Sequence, residues 1–191
     1  MQTQVEIRTR VSPAAAPRHL SLDALSLLDS PALEKLFAKA EAFPLEALQG
    51  HPRGRVLAIP RLDRGIVAPL LRGLHANRWW PWEGKSFALR AGAAEGTGIN
   101  RSLFPTRRGL FPFRTYAAAS VVDGRPCFAI DYDVPENPRP ARGIYDEVRR
   151  VDDQLYLGRG MRRQSGRQPR LVLWFALDAS LPDRPVDIPA R

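Results

Sequence analysis

Between Ser21 and Phe43 the apolar residues Leu22, Leu25, Leu28, Leu33, Leu36, Phe37 and Ala40 recur at helical spacing, with one interruption at Ser30-Pro31. The spacing predicts two short helices, over 21–29 and 31–42, with Ser30 capping the second and Pro31 at its first position, where a missing N–H costs little. Pro44 to Gly50 adds a brief turn ending on glycine. After Gly54 the period shortens. Strand-length runs fall at 55–59, 85–90, 98–103, 113–122, 125–132, 146–151, 155–163 and 170–177. One further helix is expected over 65–74, followed by the aromatic knot Trp79-Trp80-Pro81-Trp82.

The turns order these strands. Asp123-Gly124 between two apolar runs predicts a tight two-residue hairpin, because both residues tolerate positive φ. Asp152-Asp153-Gln154 and Gln164-Ser165-Gly166-Arg167 mark two more turns. Eight strands in a meander most simply close on themselves, since closure removes exposed edges. The expected fold is mainly β: an antiparallel up-and-down β-barrel of about eight strands with an N-terminal helical segment. Residues 1–18 are expected as a flexible tail, 19–49 as a helical extension, 50–180 as the barrel and 181–191 as a Pro-rich tail.

Composition narrows this picture. With 191 residues, 44% hydrophobic and 26% charged, the chain can close one sizeable core, and a second full domain is not expected. The net charge of +9 comes from 3 Lys and 26 Arg against 20 acidic residues. That ratio, beside 18 Pro, reads as genomic codon bias, so nucleic acid is not the favoured partner. The lone Cys127 cannot form an intramolecular bridge, and the three histidines, His19, His51 and His75, are scattered without cysteine partners. No metal and no cofactor are implied. The chain opens without a basic start and apolar run, and no window is long and apolar enough to span a bilayer, so the expected location is cytoplasmic.

Polar residues inside the strands are the candidate chemistry, because a charged side chain pointing into a core must be paired. Asp131 shares a strand face with Cys127 and Ala129, and Phe128, Ile130 and Tyr132 share the other. Arg114 and Tyr116 share a face, as do Tyr145, Glu147 and Arg149. Pointing inward, Arg114, Tyr116, Asp131, Glu147, Arg149 and Tyr156 would form an interior network, with a carboxylate as base and a tyrosine or arginine holding an oxyanion. Pointing outward, they would pair across strands and carry no chemistry. Asp131, Glu147, Tyr116 and Tyr132 are the candidate catalytic groups. Arg114, Arg149, Tyr156, Trp79, Trp80, Trp82 and Asn100 are the candidate ligand contacts, the tryptophans as lid or floor of an apolar pocket or as a structural plug.

Other motifs carry less. Gly84-Lys85 and Glu95-Gly96-Thr97-Gly98 lack phosphate-loop spacing and read as turns. Cys127, in an apolar strand, reads as an inert small hydrophobe. Arginines 159, 162, 163, 167 and 170 straddle a predicted hairpin tip and read as a solvated basic turn, with polyanion binding as the alternative.

Trp82-Glu83-Gly84-Lys85-Ser86-Phe87, Gly98-Ile99-Asn100, Phe113-Arg114-Thr115-Tyr116 before Asp123-Gly124, Asp131-Tyr132, Asn137-Pro138, Asp146-Glu147-Val148-Arg149 and Leu155-Tyr156-Leu157-Gly158 together resemble small bacterial lipocalin-like, or calycin-type, β-barrel proteins. The resemblance spans roughly residues 50 to 178 and is one of pattern. It implies a cavity for a small hydrophobic or amphipathic molecule. Some relatives act as cyclases or isomerases on what they enclose, so cofactor-independent cyclisation, isomerisation or dehydration is the alternative function.

Overall fold

The computed structural model describes residues 20–60, 62, 81–89, 94–102 and 108–182. The expected helix over 65–74, His19 and His75, and Trp79 and Trp80 lie outside these residues. Among the described residues no helix is long and apolar enough to cross a membrane.

Eight strands form a closed barrel in which each pairs antiparallel with its sequence neighbours and the last with the first. They are β1 (Pro52–Ala58), β2 (Trp82–Leu89), β3 (Glu95–Ser102), β4 (Arg108–Ala119), β5 (Pro126–Asp131), β6 (Ile144–Asp152), β7 (Leu155–Gln164) and β8 (Arg167–Pro182). All eight sequence-derived runs overlap these strands, so the mainly β, up-and-down barrel is the observed fold. A barrel of this strand number has a lumen that side chains can fill or that can hold one small ligand.

The turns differ from expectation at one place. The β4–β5 connection is longer than two residues: Ser120 N donates to Arg125 O at 2.9 Å, and Ser120 Oγ accepts from Val122 N and Asp123 N. The reason is lateral. The Asp123 carboxylate is held by Arg149 on β6, which draws the loop away from a tight hairpin. Gly124 supplies the positive φ the loop still requires. The tight two-residue turns are instead Asp153-Gln154 and Ser165-Gly166.

Two helices, α1 (Leu22–Ser26) and α2 (Ser30–Lys39), lie outside the barrel wall. Asp29 rather than Ser30 caps α2, its carboxylate accepting from Ala32 N at 3.0 Å, a shift of one residue from the sequence reading. Leu22, Leu25, Leu33 and Phe37 pack on Leu57, Leu155, Leu157, Trp174 and Ala176 to form an outer core. A separate inner core fills the lumen with Phe87, Phe113, Phe128, Ile130, Val148, Phe175 and Leu177. Gly158 makes this packing possible, because a Cβ there would lie 2.2 Å from the Phe175 ring.

The two ends of the lumen are unlike. At one end the 3₁₀ turn Leu45–Leu48 inserts buried Leu48, and Phe43 stacks on Phe128 and tilts against Tyr156. The strap is tied to β2 by paired bonds between Gly50 and Phe87. Lumen residues of β5 and its extension run from this plug, Phe128, through Ile130 to Tyr132, where the packing stops and a cavity begins.

Candidate functional site

The cavity lies at the other end and, among the described residues, has a volume of about 660 Å³. Its walls are almost wholly apolar, formed by Val56, Trp82, Leu110, Phe111, Leu173 and Phe175, with Pro138, Pro140 and Ala141 of a helical turn beside it. Its polar lining residues are Ser102 and, meeting one another through hydrogen bonds, Lys85, Asn100, Tyr132 and Asp146.

Alternation brings these four together. Lys85 and Phe87 share the lumenal face of β2, and Asp146 and Val148 share that of β6. Tyr132 follows β5 directly and is held by Asn137, which donates to Tyr132 O and to Pro112 O, each at 2.8 Å. Asn100 lies beside a β-bulge in which Phe111 takes φ of 55° and presents its carbonyl to Asn100 Nδ2 at 3.3 Å. Phe111 itself is an exposed aromatic on the cavity wall.

Lys85 Nζ donates to Asn100 Oδ1 at 2.9 Å and to Tyr132 Oη, and pairs with Asp146 Oδ2 at 3.1 Å. Tyr132 Oη donates to Asp146 Oδ2 at 3.2 Å and accepts from Asn100 Nδ2 at 3.1 Å. Trp82 Nε1 donates to Asn100 Oδ1 at 3.1 Å. The amine is also ringed by Phe113, Tyr132, Phe175 and Trp82, with centroids 5.1 to 5.6 Å away. Lys85 and Asp146 are each only 3% exposed.

Burial dominates the protonation of this cluster. It lowers Lys85 below the usual lysine range, with the Asp146 carboxylate pulling the other way. It raises Asp146 above the usual carboxylate range against the opposing pull of Lys85. Tyr132 is pushed well above its ordinary value by burial and by Asp146, so it remains a phenol and a donor. The cluster can therefore share protons between an amine, a carboxyl and a phenol at the foot of an apolar cavity.

The sequence candidates divide around this geometry. Tyr132, Asn100 and Trp82 line the cavity. Tyr156 faces the lumen at the plugged end, its hydroxyl donating to Ala47 O at 3.2 Å. Arg114, Tyr116, Asp131, Glu147 and Arg149 do share faces as expected, but those faces form the outer wall, so the interior network drawn from them is corrected. Asp131 is gripped by both Arg163 nitrogens at 2.9 and 3.0 Å, by Tyr116 Oη at 3.2 Å and, at 3.8 Å, by Arg114. Burial raises its carboxyl, but Arg163, the Asp133 N–H and Tyr116 together hold it below the usual carboxylate range. Glu147 is clamped by Arg159 at 2.7 and 3.0 Å beneath α2, and Arg149 forks onto Asp123 at 2.7 and 2.8 Å. Arg159 thus leaves the expected basic tip. Arg162, Arg163, Arg167 and Arg170 are its exposed members. Cys127 is buried on the wall, and burial pushes its thiol up to about 12.

Lys85 and Asp146 were missed. Gly84-Lys85 reads as a turn in the sequence, and Asp146 alternates with Glu147 on the opposite strand face. Side-chain size gives a partial signal on β5, where Phe128 and Ile130 face the lumen and Cys127 and Ala129 the covered wall, but not on β6, where Tyr145, Glu147 and Arg149 face outward.

No family model matches the chain, and no curated protein matches it. Among solved structures it is similar to one titled "Crystal structure of protein from Thermomonospora curvata", at 20% identity, over 79% of this chain and 87% of that one, with a TM-score of 0.48. The barrel assignment stands on the strand pairing described above.

Proposed function

We propose that the cavity binds a small hydrophobic or amphipathic molecule, in the manner of lipocalin-like barrels, with its apolar body against Trp82, Leu173 and Phe175 and its polar end on Lys85, Asn100 and Tyr132. The observation that carries this reading is the convergence of four hydrogen-bonded polar side chains in a cavity of about 660 Å³ whose other described lining residues, Ser102 apart, are apolar. A large apolar recess with a few convergent polar groups is the usual form of a small-molecule site. Because Asp146 offsets Lys85, the base of the cavity suits a carbonyl or hydroxyl better than a carboxylate.

A second reading, cofactor-independent cyclisation, isomerisation or dehydration of the bound molecule, is favoured by the proton-sharing groups themselves. It assigns the base to Asp146 and the acid to Tyr132, in place of Asp131 and Glu147.

Titration with Nile red, an uncharged dye that brightens in apolar surroundings, tests the binding reading. Val172 lines the cavity from a bulge of β8 and is exposed, so Val172→Trp fills the cavity without disturbing either core. The expected result is saturable binding to wild type, weakened at least about tenfold in the variant, which corresponds to about 1.4 kcal/mol. Equal affinity for both proteins would refute the assignment of the cavity.

A further inference from the structure

We propose that Lys85 is a nucleophilic amine that captures an apolar aldehyde or ketone in the cavity as an imine, with Asp146 and Tyr132 moving the protons. The inference rests on the cavity being a binding site and names the chemical class that would occupy it.

The first support is the choice of residue. The chain has 3 Lys and 26 Arg, and wherever else the described residues bury a cation they bury arginine, as at Arg101, Arg149 and Arg159, each 2% exposed or less. The other two lysines, Lys35 and Lys39, are both exposed on α2. Arginine is the better partner for a buried ion pair, since its planar fork makes paired bonds and its charge is permanent. Among the described residues, a lysine in the one buried cationic position that lines the cavity provides what arginine cannot, an amine able to lose its proton and attack carbon.

The second support is placement. Nζ lies among aromatic rings that would hold an apolar chain, and within 3.1 Å of Asp146 Oδ2, which can take its proton. Tyr132 and Asn100 supply O–H and N–H donors beside it for the carbonyl oxygen. Burial also disfavours the ammonium form, which assists the same step.

The chemistry balances without an added reagent. Asp146 accepts a proton from Lys85, and the freed amine bonds to the carbonyl carbon. The carbonyl oxygen takes that proton from Asp146, directly or relayed through the Tyr132 hydroxyl, and the attacking nitrogen gives one of its two protons to the Asp146 carboxylate, leaving a neutral carbinolamine. Asp146 passes this second proton to the hydroxyl, which leaves as water as nitrogen forms its double bond to carbon. The product is an iminium paired with the Asp146 carboxylate, plus one water. Nothing is oxidised or reduced, and hydrolysis returns the carbonyl compound.

The test is to incubate the full chain with octanal and cyanoborohydride, which reduces an imine to a stable octyl amine, and to map octylation by peptide mass spectrometry. Lys35 and Lys39 are the internal reference. Octylation of Lys85 is expected at least about tenfold faster than of either, through pre-positioning in the cavity. Octanol, with the same chain but no carbonyl, is expected to protect Lys85 and leave Lys35 and Lys39 unaffected. Asp146→Asn is expected to slow the Lys85 reaction on the order of a hundredfold while the two reference rates stay the same. Octylation of Lys85 no faster than of Lys35, with octanol still displacing Nile red, overturns the imine and leaves the binding reading intact. Failure of octanol and octanal to displace Nile red overturns the binding reading itself. Octylation of Lys85 that octanol does not slow overturns capture in the cavity.

Discussion

Two buried charge clusters lie on opposite sides of the same barrel wall, and they are built differently. Outside, beneath α2, Arg149 and Arg159 place their guanidinium carbons 4.5 and 4.4 Å from the centre of the Phe37 ring. Arg149 also donates to Phe37 O, Pro126 O and Arg125 O, and Arg159 to Ser120 Oγ. Helix, loop and strand are thus joined through arginine forks whose partners are all fixed. Inside, a single lysine pairs with a single aspartate, and both border open volume.

Proton linkage separates the two further. Asp123 is held well below the usual carboxylate range, first by its hydrogen bonds to Arg149, so folding favours its ionised form. Asp146 is raised and Lys85 lowered by burial, so folding disfavours the charged form of each. The Asp123–Arg149 pair of the outer cluster stabilises the fold at neutral pH, whereas the lumenal pair is held against a stability cost. A local cost of this kind beside a cavity is what the proposed binding site calls for and a structural clamp does not.

The comparison is sharpened most by removing one cation from each side. Arg159→Met leaves Glu147 fully buried without its guanidinium and also releases Ser120 and Glu34, so a loss of about 3 to 5 kcal/mol is expected in urea unfolding. Lys85→Met leaves Asp146 free to protonate beside Tyr132, in a cavity roomy enough for water, and is expected to cost only about 1 to 2 kcal/mol. Equal losses would erase the distinction.

A smaller effect tests the sign of the outer cluster. Since the native pKa of Asp123 lies below its ordinary value of about 3.9, its contribution is complete above that pH and is lost as pH falls through the native value. Asp123→Asn is expected to cost about 1.5 kcal/mol at pH 7 and to reduce the loss of stability on acidification below about pH 4. An unchanged acid profile would show that the Arg149 fork does not favour the ionised form.

The fold was legible because strand alternation and turn chemistry are local. The candidate site was less so, for a reason visible in β5 and β6. The reading placed Asp131 with Cys127 and Ala129, and Glu147 with Tyr145 and Arg149, which is the pairing observed. Alternation does not assign those faces to a side, because helices and a patch of Ala129, Tyr145 and Met161 bury the outer faces of β5 and β6, just as their inner faces are buried toward the lumen. Burial on both sides removes the apolar-in, polar-out signal on which period-2 reasoning depends. The β4–β5 loop departed for a nonlocal reason too, since Arg149 is 26 residues from Asp123.

The central claim, that the lumen and not the outer wall is the binding site, is tested most directly by methyl NMR during titration with octanol. Val56 and Leu173 border the cavity, while Leu25 and Leu33 belong to the outer core. Saturable shifts at Val56 and Leu173, with Leu25 and Leu33 unmoved, are expected. Shifts confined to Leu25 and Leu33, or none at Val56 and Leu173, would contradict the account.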